Sequence, residues 1–235
     1  MKEIWIHSLA LLAAACILSG CVANRSVEYD SGAAQADNYV AASIPSRPAG
    51  VEKIPVGVIL AIKNEDIERY PQLKENNIGL GLKSLVNEQM LDSDWFQICT
   101  VDTQVLKQMM NLQEYYYHGE IDEGKIHESA MPEYIVMVNI TRVSQIGNES
   151  VRGGVKKFTG SCEVRVSYEV FPLLSEGSFN LLAVASGTGN VPVQDISSIF
   201  NGGQNFRSSA FGTATERAIH NGLPKLIEKL ERVRK

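Results

Sequence analysis

Hydrophobic and polar positions along this chain fall into rhythms that change character twice. An apolar run from Leu9 to Leu18 ends at Ser19-Gly20-Cys21. A stretch of Ala, Ser, Asn, Gly and Pro then continues to about Val51 with little periodicity. Such a composition predicts an extended tether without a core of its own. The β-branched run Ile54 to Ile62 (IPVGVILAI), bounded by Lys63-Asn64-Glu65, predicts a buried strand. Ile78, Leu82, Leu85, Val86 and Met90 recur at helical spacing and predict an amphipathic helix over about 76–91. A second strand is expected over 95–102 (WFQICTVD). Asp102 or Thr103 would then cap a helix whose apolar face holds Val105, Leu106, Met109, Met110 and Leu112.

Beyond residue 130 strands dominate. Residues 134–143 (YIVMVNITRV), 161–171 (SCEVRVSYEVF) and 181–189 (LLAVASGTG) predict three strands separated by Gly-, Asn- and Ser-rich turns. The middle one alternates: Cys162, Val164, Val166, Tyr168 and Val170 face one way, and Glu163, Arg165, Ser167 and Glu169 the other, so one face is expected to be wet. A last helix is predicted from about Ala210, with Ala214, Ala218, Leu223, Leu226, Ile227, Leu230 and Val233 toward the core. Gly222 and Pro224 predict a break or kink in it. Crossovers at the front favour parallel pairing and short turns behind favour antiparallel pairing. The fold class expected is therefore α/β, a mixed sheet of about five strands packed by three helices, in a single domain after a signal peptide and flexible linker.

The N-terminal pattern has its own meaning. A short start with Lys2, an apolar run of about ten residues and small residues before Cys21 have the layout of an export signal. The run is too short for a spanning helix, which needs roughly 20 residues. Leu18-Ser19-Gly20-Cys21 resembles the bacterial lipoprotein box, in which the cysteine receives a diacylglycerol and becomes an acylated, often palmitate-bearing, N-terminus. That resemblance implies a signal peptide over 1–20, a lipidated N-terminus and flexible linker over 21–51, and a periplasmic domain over 52–235. Val22 stands where inner-membrane lipoproteins of this kind carry Asp, which favours the periplasmic side of the outer membrane. Acyl chains contribute about 0.8 kcal/mol per buried CH₂, enough in combination to hold a body that cannot span the bilayer.

Charge narrows the partners. Lys and Arg number 22 against 27 Asp and Glu, a formal charge of −5. No basic patch is visible for phosphate neutralisation, and nucleic acid is not an expected partner. Cys16 would leave with the signal. Cys99 and Cys162 would remain in an oxidising compartment, where they form a candidate disulfide or stand as two separate buried thiols.

Catalytic signals are sparse. Gly79 to Ser84 (GLGLKS) has Leu82 before Lys83, so it lacks the phosphate-loop spacing, and its leucines fit a helix face. His118 to Glu128 offers metal-ligand residue types but no close-spaced motif and reads as a solvated loop. Tyr115-Tyr116-Tyr117 is either a candidate contact patch or partly buried at a helix end. None of His7, His118, His127 and His220 lies beside a nucleophile signature. The chain is expected not to be an enzyme, with no cofactor and no metal; a periplasmic hydrolase is the remaining alternative of that class.

The order of elements also carries a resemblance. VGVILAIKN, LDSDWFQICTVD, TQVLKQMMNLQ, PEYIVMVNITRVSQIGNESVRGGV and the meander to ASGTG resemble the periplasmic domain of the CsgG/HfaB family, over about residues 54–230. The corner from Asp92 to Phe96 and the turn from Asn148 to Gly154 are its most characteristic pieces. The peptidoglycan-synthase activator lipoproteins have a related layout. The resemblance implies a binding or assembly module of an envelope complex, with an envelope protein as partner; a ring-forming homo-oligomer of a secretion channel is the alternative. Channel members add two membrane-spanning hairpins. The candidate insertions here, SQIGNESVRGGVKKFTGS and NVPVQDISSIFNGGQNFRSSA, are expected to be short and too polar for that role.

Overall fold

Ile54–Lys63 (β1) is the spine of the sheet. The computed structural model describes residues 37, 39–101, 115–117, 131–152, 155–173, 180–193, 199–200 and 206–234. Helices α1 (Asn64–Arg69), α2 (Asn76–Asp92) and α3 (Ala210–Val233) accompany strands β2 (Phe96–Cys99), β3 (Tyr115–Tyr117), β4 (Tyr134–Arg152), β5 (Val155–Pro172) and β6 (Ala183–Val193). The main strand order is β2-β1-β4-β5-β6, and β3 pairs β1 beyond β2. β1 is parallel to β2 and β4, whereas β1–β3 and β5–β6 are antiparallel. The mixed α/β architecture is thus as expected. Tyr115–Tyr117 belongs to a strand opposite Ala61–Lys63, not to a helix end. The helix expected from Asp102 or Thr103 lies outside the described residues.

Period-two burial explains why β1 and β4 sit at the centre. Ile54, Val56, Leu60 and Ile62, with Tyr134, Val136, Val138 and Ile140, face one core, joined there by Cys162, Val164, Val166, Tyr168 and Val170 of β5. The predicted apolar stripes of α2 and α3 cover that face, including Leu82, Leu85, Met90, Ala214, Leu223 and Ile227. Two residues depart from expectation: Leu80 is 69% exposed and Val233 38%. Ile59, Ala61, Ile135, Met137 and Phe171 form a smaller cluster on the opposite face.

α3 runs unbroken through Gly222 and Pro224, contrary to the predicted break. Gly222 serves close packing: a Cβ there would strike the Tyr168 ring. Gly187 and Gly189 do the same from β6, where added methyl groups would collide with the carbonyl oxygens of Ala218 and Ala214. The fully buried Tyr168 donates its hydroxyl to the Ile219 carbonyl at 2.8 Å, and burial pushes its phenol well above the usual range.

β4 and β5 are longer than predicted, and what was read as a turn over Asn148 to Gly154 is strand up to Arg152 and again from Val155. A two-residue connection permits only antiparallel neighbours. β1 pairing ends at Ile62↔Ile140 and β6 pairing starts at Gly160, so the ribbon continues past the sheet. One compact unit comprises 31–149 and 158–235, and residues 150–157 belong to another. Ile140 and Val143 both join the main core although three residues apart, so strict alternation does not continue past the end of β1 pairing.

Candidate functional site

The most elaborate polar construction is a strap. Residues 39–51, expected to be part of a free linker, are fastened across the helices. Its first section sits on one turn of α3. Arg217 pairs with Asp37 through both terminal nitrogens, one of them at 2.9 Å, and its guanidinium lies 4.4 Å from the centre of the Tyr39 ring. Asn221 Oδ1 accepts from the Tyr39 hydroxyl and from the Ala42 N–H, each at 3.3 Å. His220 Nε2 meets the Ala42 carbonyl at 2.9 Å while Nδ1 contacts Gln89 of α2 at 3.2 Å. The Arg217 contact draws the Asp37 carboxyl below its ordinary range.

The second section docks on the corner from Asp92 to Phe96 that the sequence singled out. Ser93 closes α2, donating its hydroxyl to the Met90 carbonyl at 2.6 Å and accepting from Trp95 N–H at 3.3 Å. Asp94 takes φ = 60°, the left-handed turn that Asp tolerates. That turn drives Trp95 into the core with 2% exposure. Its indole N–H still needs a partner, and the Pro45 carbonyl of the strap supplies one at 2.6 Å. Arg47 donates to the Asp94 carbonyl at 2.9 Å and to the Val51 carbonyl, and Lys53 pairs with Asp94 at 2.6 Å. Those two cations hold the Asp94 carboxyl below its ordinary range, Lys53 most.

The strap is held differently from the core. Its apolar residues Ile44 and Val51 are only partly buried and Val40 is 86% exposed. Exposed ion pairs contribute about 0–1 kcal/mol each, whereas a fully buried Leu, Ile or Val contributes about 1.5–3 kcal/mol. The strap is therefore the easier part to open.

The same stretch of α3, extended to Lys225, also closes the outer edge of β6. Arg217, Asn221 and Lys225, four residues apart, donate to the carbonyls of Asn190, Thr188 and Ser186 at 2.7, 2.9 and 3.0 Å. An edge strand with its carbonyls taken is a poor template for another chain.

On the face away from α3, strands β5 and β6 present matched polar rows: Ser167 opposite Ser186, Arg165 opposite Thr188 and Glu163 opposite Asn190. The wet face expected of β5 is there. At its border the half-buried Glu169 carboxyl is held above its ordinary range by burial. Asn139 is fully buried, and neither of its amide atoms has a partner in hydrogen-bonding geometry among the described residues.

Cys99 and Cys162 are both free and buried. Strands β1 and β4 lie between their strands, so three spacings of about 4.8 Å put them well beyond bridging reach. The candidate disulfide does not form in this fold, and burial pushes the Cys162 thiol up to about 12. Tyr115, Tyr116 and Tyr117 pair with Lys63, Ile62 and Ala61 at the end of β1. Cys21, His118 and His127 lie outside the described residues. His220, which the sequence showed only as lacking a neighbouring nucleophile signature, joins the strap to α2 through Ala42 and Gln89; its helical position beside Asn221 gave no signal of that.

No family model matches the chain, and no curated protein gives a significant match. Among solved structures, a hypothetical protein of Chlamydia trachomatis, CT253, is similar over 76% of this chain and 98% of its own, at 14% identity and a TM-score of 0.46. The functional reading rests on this chain's own residues.

Proposed function

We propose that this chain is a lipid-anchored periplasmic protein of the outer membrane that acts by binding, as an assembly module of an envelope complex. The observation that carries this reading is the succession of Leu18-Ser19-Gly20-Cys21, a polar segment, and a body onto which the end of that segment is strapped. It is the construction of a tethered body, and a tether is useful where a partner must be reached. Cys21→Ser is expected to leave the domain folded and to release it from membranes; retention of the variant in the membrane pellet would sink the reading. Crosslinking of the mature chain in cells identifies the envelope partner.

A second reading, a ring-forming subunit of an outer-membrane channel, draws on the length of the β4–β5 ribbon. Past Ile140, β4 continues to Arg152, and a membrane strand needs about 9–11 residues. The polar composition of Gln145 to Lys157 speaks against lipid exposure. Rings inserted in detergent micelles, seen by electron microscopy, would favour the channel over the module.

A further inference from the structure

We infer that the strap is a releasable section of the leash, so that the body has two reaches from the membrane. The inference rests on attachment at Cys21 as proposed above, and concerns how that attachment is regulated.

With the strap docked, sixteen chain steps separate Cys21 from Asp37, a reach of at most about 55 Å at about 3.5 Å per residue. Release of the first section moves the point of attachment to Pro45, where the Trp95 indole grips the chain. The leash is then twenty-four steps and reaches about 85 Å.

Geometry makes this release local. Tension arriving from Cys21 loads the Asp37–Arg217 pair first, then Tyr39, then Ala42, so the contacts are opened one at a time and never all together. The α3 side chains remain satisfied afterwards. Arg217 keeps the Asn190 carbonyl, Asn221 keeps the Thr188 carbonyl and His220 keeps Gln89. The body therefore loses no edge contact when the strap lifts. Behind this section, Arg47, which donates to the carbonyls of both Asp94 and Val51, resists further peeling.

Hydrogen exchange of the full chain in detergent, with and without Asp37→Ala/Tyr39→Ala, tests the strap. These changes leave the α3 bonds to β6 in place. The Ala42 amide, which donates to Asn221, is expected to exchange about tenfold faster in the variant, corresponding to the loss of two or three exposed polar contacts. Residues 134–143 and 162–170 should be unchanged, which also reports that the variant folds. Equal exchange of the Ala42 amide in the two proteins, or exchange of that amide as slow as the core in the unaltered chain, would overturn the inference.

The reach is read by energy transfer from a dye at Leu80→Cys, an exposed position, to acceptor lipids in phosphatidylethanolamine/phosphatidylglycerol vesicles. Weaker transfer is expected for the strap variant, and equal transfer would refute a second reach. If Cys21→Ser stays in the membrane pellet, the anchor itself fails and the second reach with it. The exchange measurement would still report whether the strap opens by itself.

Discussion

Asp66 shows how one side chain serves a strand past the end of its neighbour. Pairing of β1 with β4 ends at Ile62↔Ile140, and beyond it the buried Asp66 carboxylate accepts the Val143 N–H at 3.2 Å. Burial raises the Asp66 carboxyl above its ordinary 3.8, outweighing the opposite effects of the Val143 bond, Arg69 and Lys63. Native protein thus keeps a proton that the unfolded chain has released, and this group's contribution to stability falls as pH rises from about 3.8 to its folded value. Glu88 and Asp94, both drawn down by cations, work in the opposite sense and weaken the fold on acidification. Asp66→Asn keeps an acceptor for Val143 but cannot titrate. Urea denaturation from pH 3.5 to 7 should show the variant gaining on the parent as pH rises, and parallel curves would contradict the assignment. Tyr168→Phe removes one buried hydroxyl bond and is expected to cost about 1 kcal/mol. Gly222→Ala, which drives a methyl into the same ring, should cost more, about 2 kcal/mol in the same measurement.

Between α3 and β6 the decisive feature is closeness of backbones. Small residues line both sides: Gly187 and Gly189 on the strand, Ala214, Ala218 and Gly222 on the helix. Sequence reading found the apolar stripe of α3 and placed Gly187 and Gly189 on a strand, but it gave those glycines no packing role and took Gly222 as a sign of a break or kink. A glycine says only that a Cβ is absent; which neighbour fills the space is decided by the partner element. Gly189→Ala is expected to destabilise by at least about 2 kcal/mol, read as a lower urea midpoint with unchanged helix content, because the Ala214 carbonyl belongs to a helix that cannot yield locally. The long ribbon was missed for a related reason. Its polar, Gly-rich residues carry weak strand signals, and pairing of β4 with β5 supplies the order that propensity does not.

At the scale of the molecule, strand order decides what residue spacing cannot. Cys99 and Cys162 both lie on strands, yet β1 and β4 separate them. In the full chain carrying Cys16→Ser and Cys21→Ser, a reductant should leave the melting temperature unchanged, and two thiols should titrate after denaturation. A reductant-dependent drop would show a bridge. The strap is another property of this scale. Its anchor points, Arg217, His220 and Asn221 of α3 and Trp95 of the α2–β2 corner, come from distant parts of the chain. Each polar residue, taken singly, looks like ordinary surface.

The sequence by itself determined the elements whose signal is periodic burial: β1, α2, the alternating half of β5 and the stripe of α3. Hydrophobic transfer depends on a residue's own surface and on its neighbours three or four, or two, positions away, which one chain displays in full. It also displayed the lipoprotein-like Leu18-Ser19-Gly20-Cys21, a local pattern. Only the tertiary structure decided where the linker ends and the body begins, because the hydrogen bonds that fasten residues 39–51 reach 178 and 182 positions along the chain to α3 and 50 positions to the α2–β2 corner. Polar groups keep no period along the chain, and their partners are named by the fold.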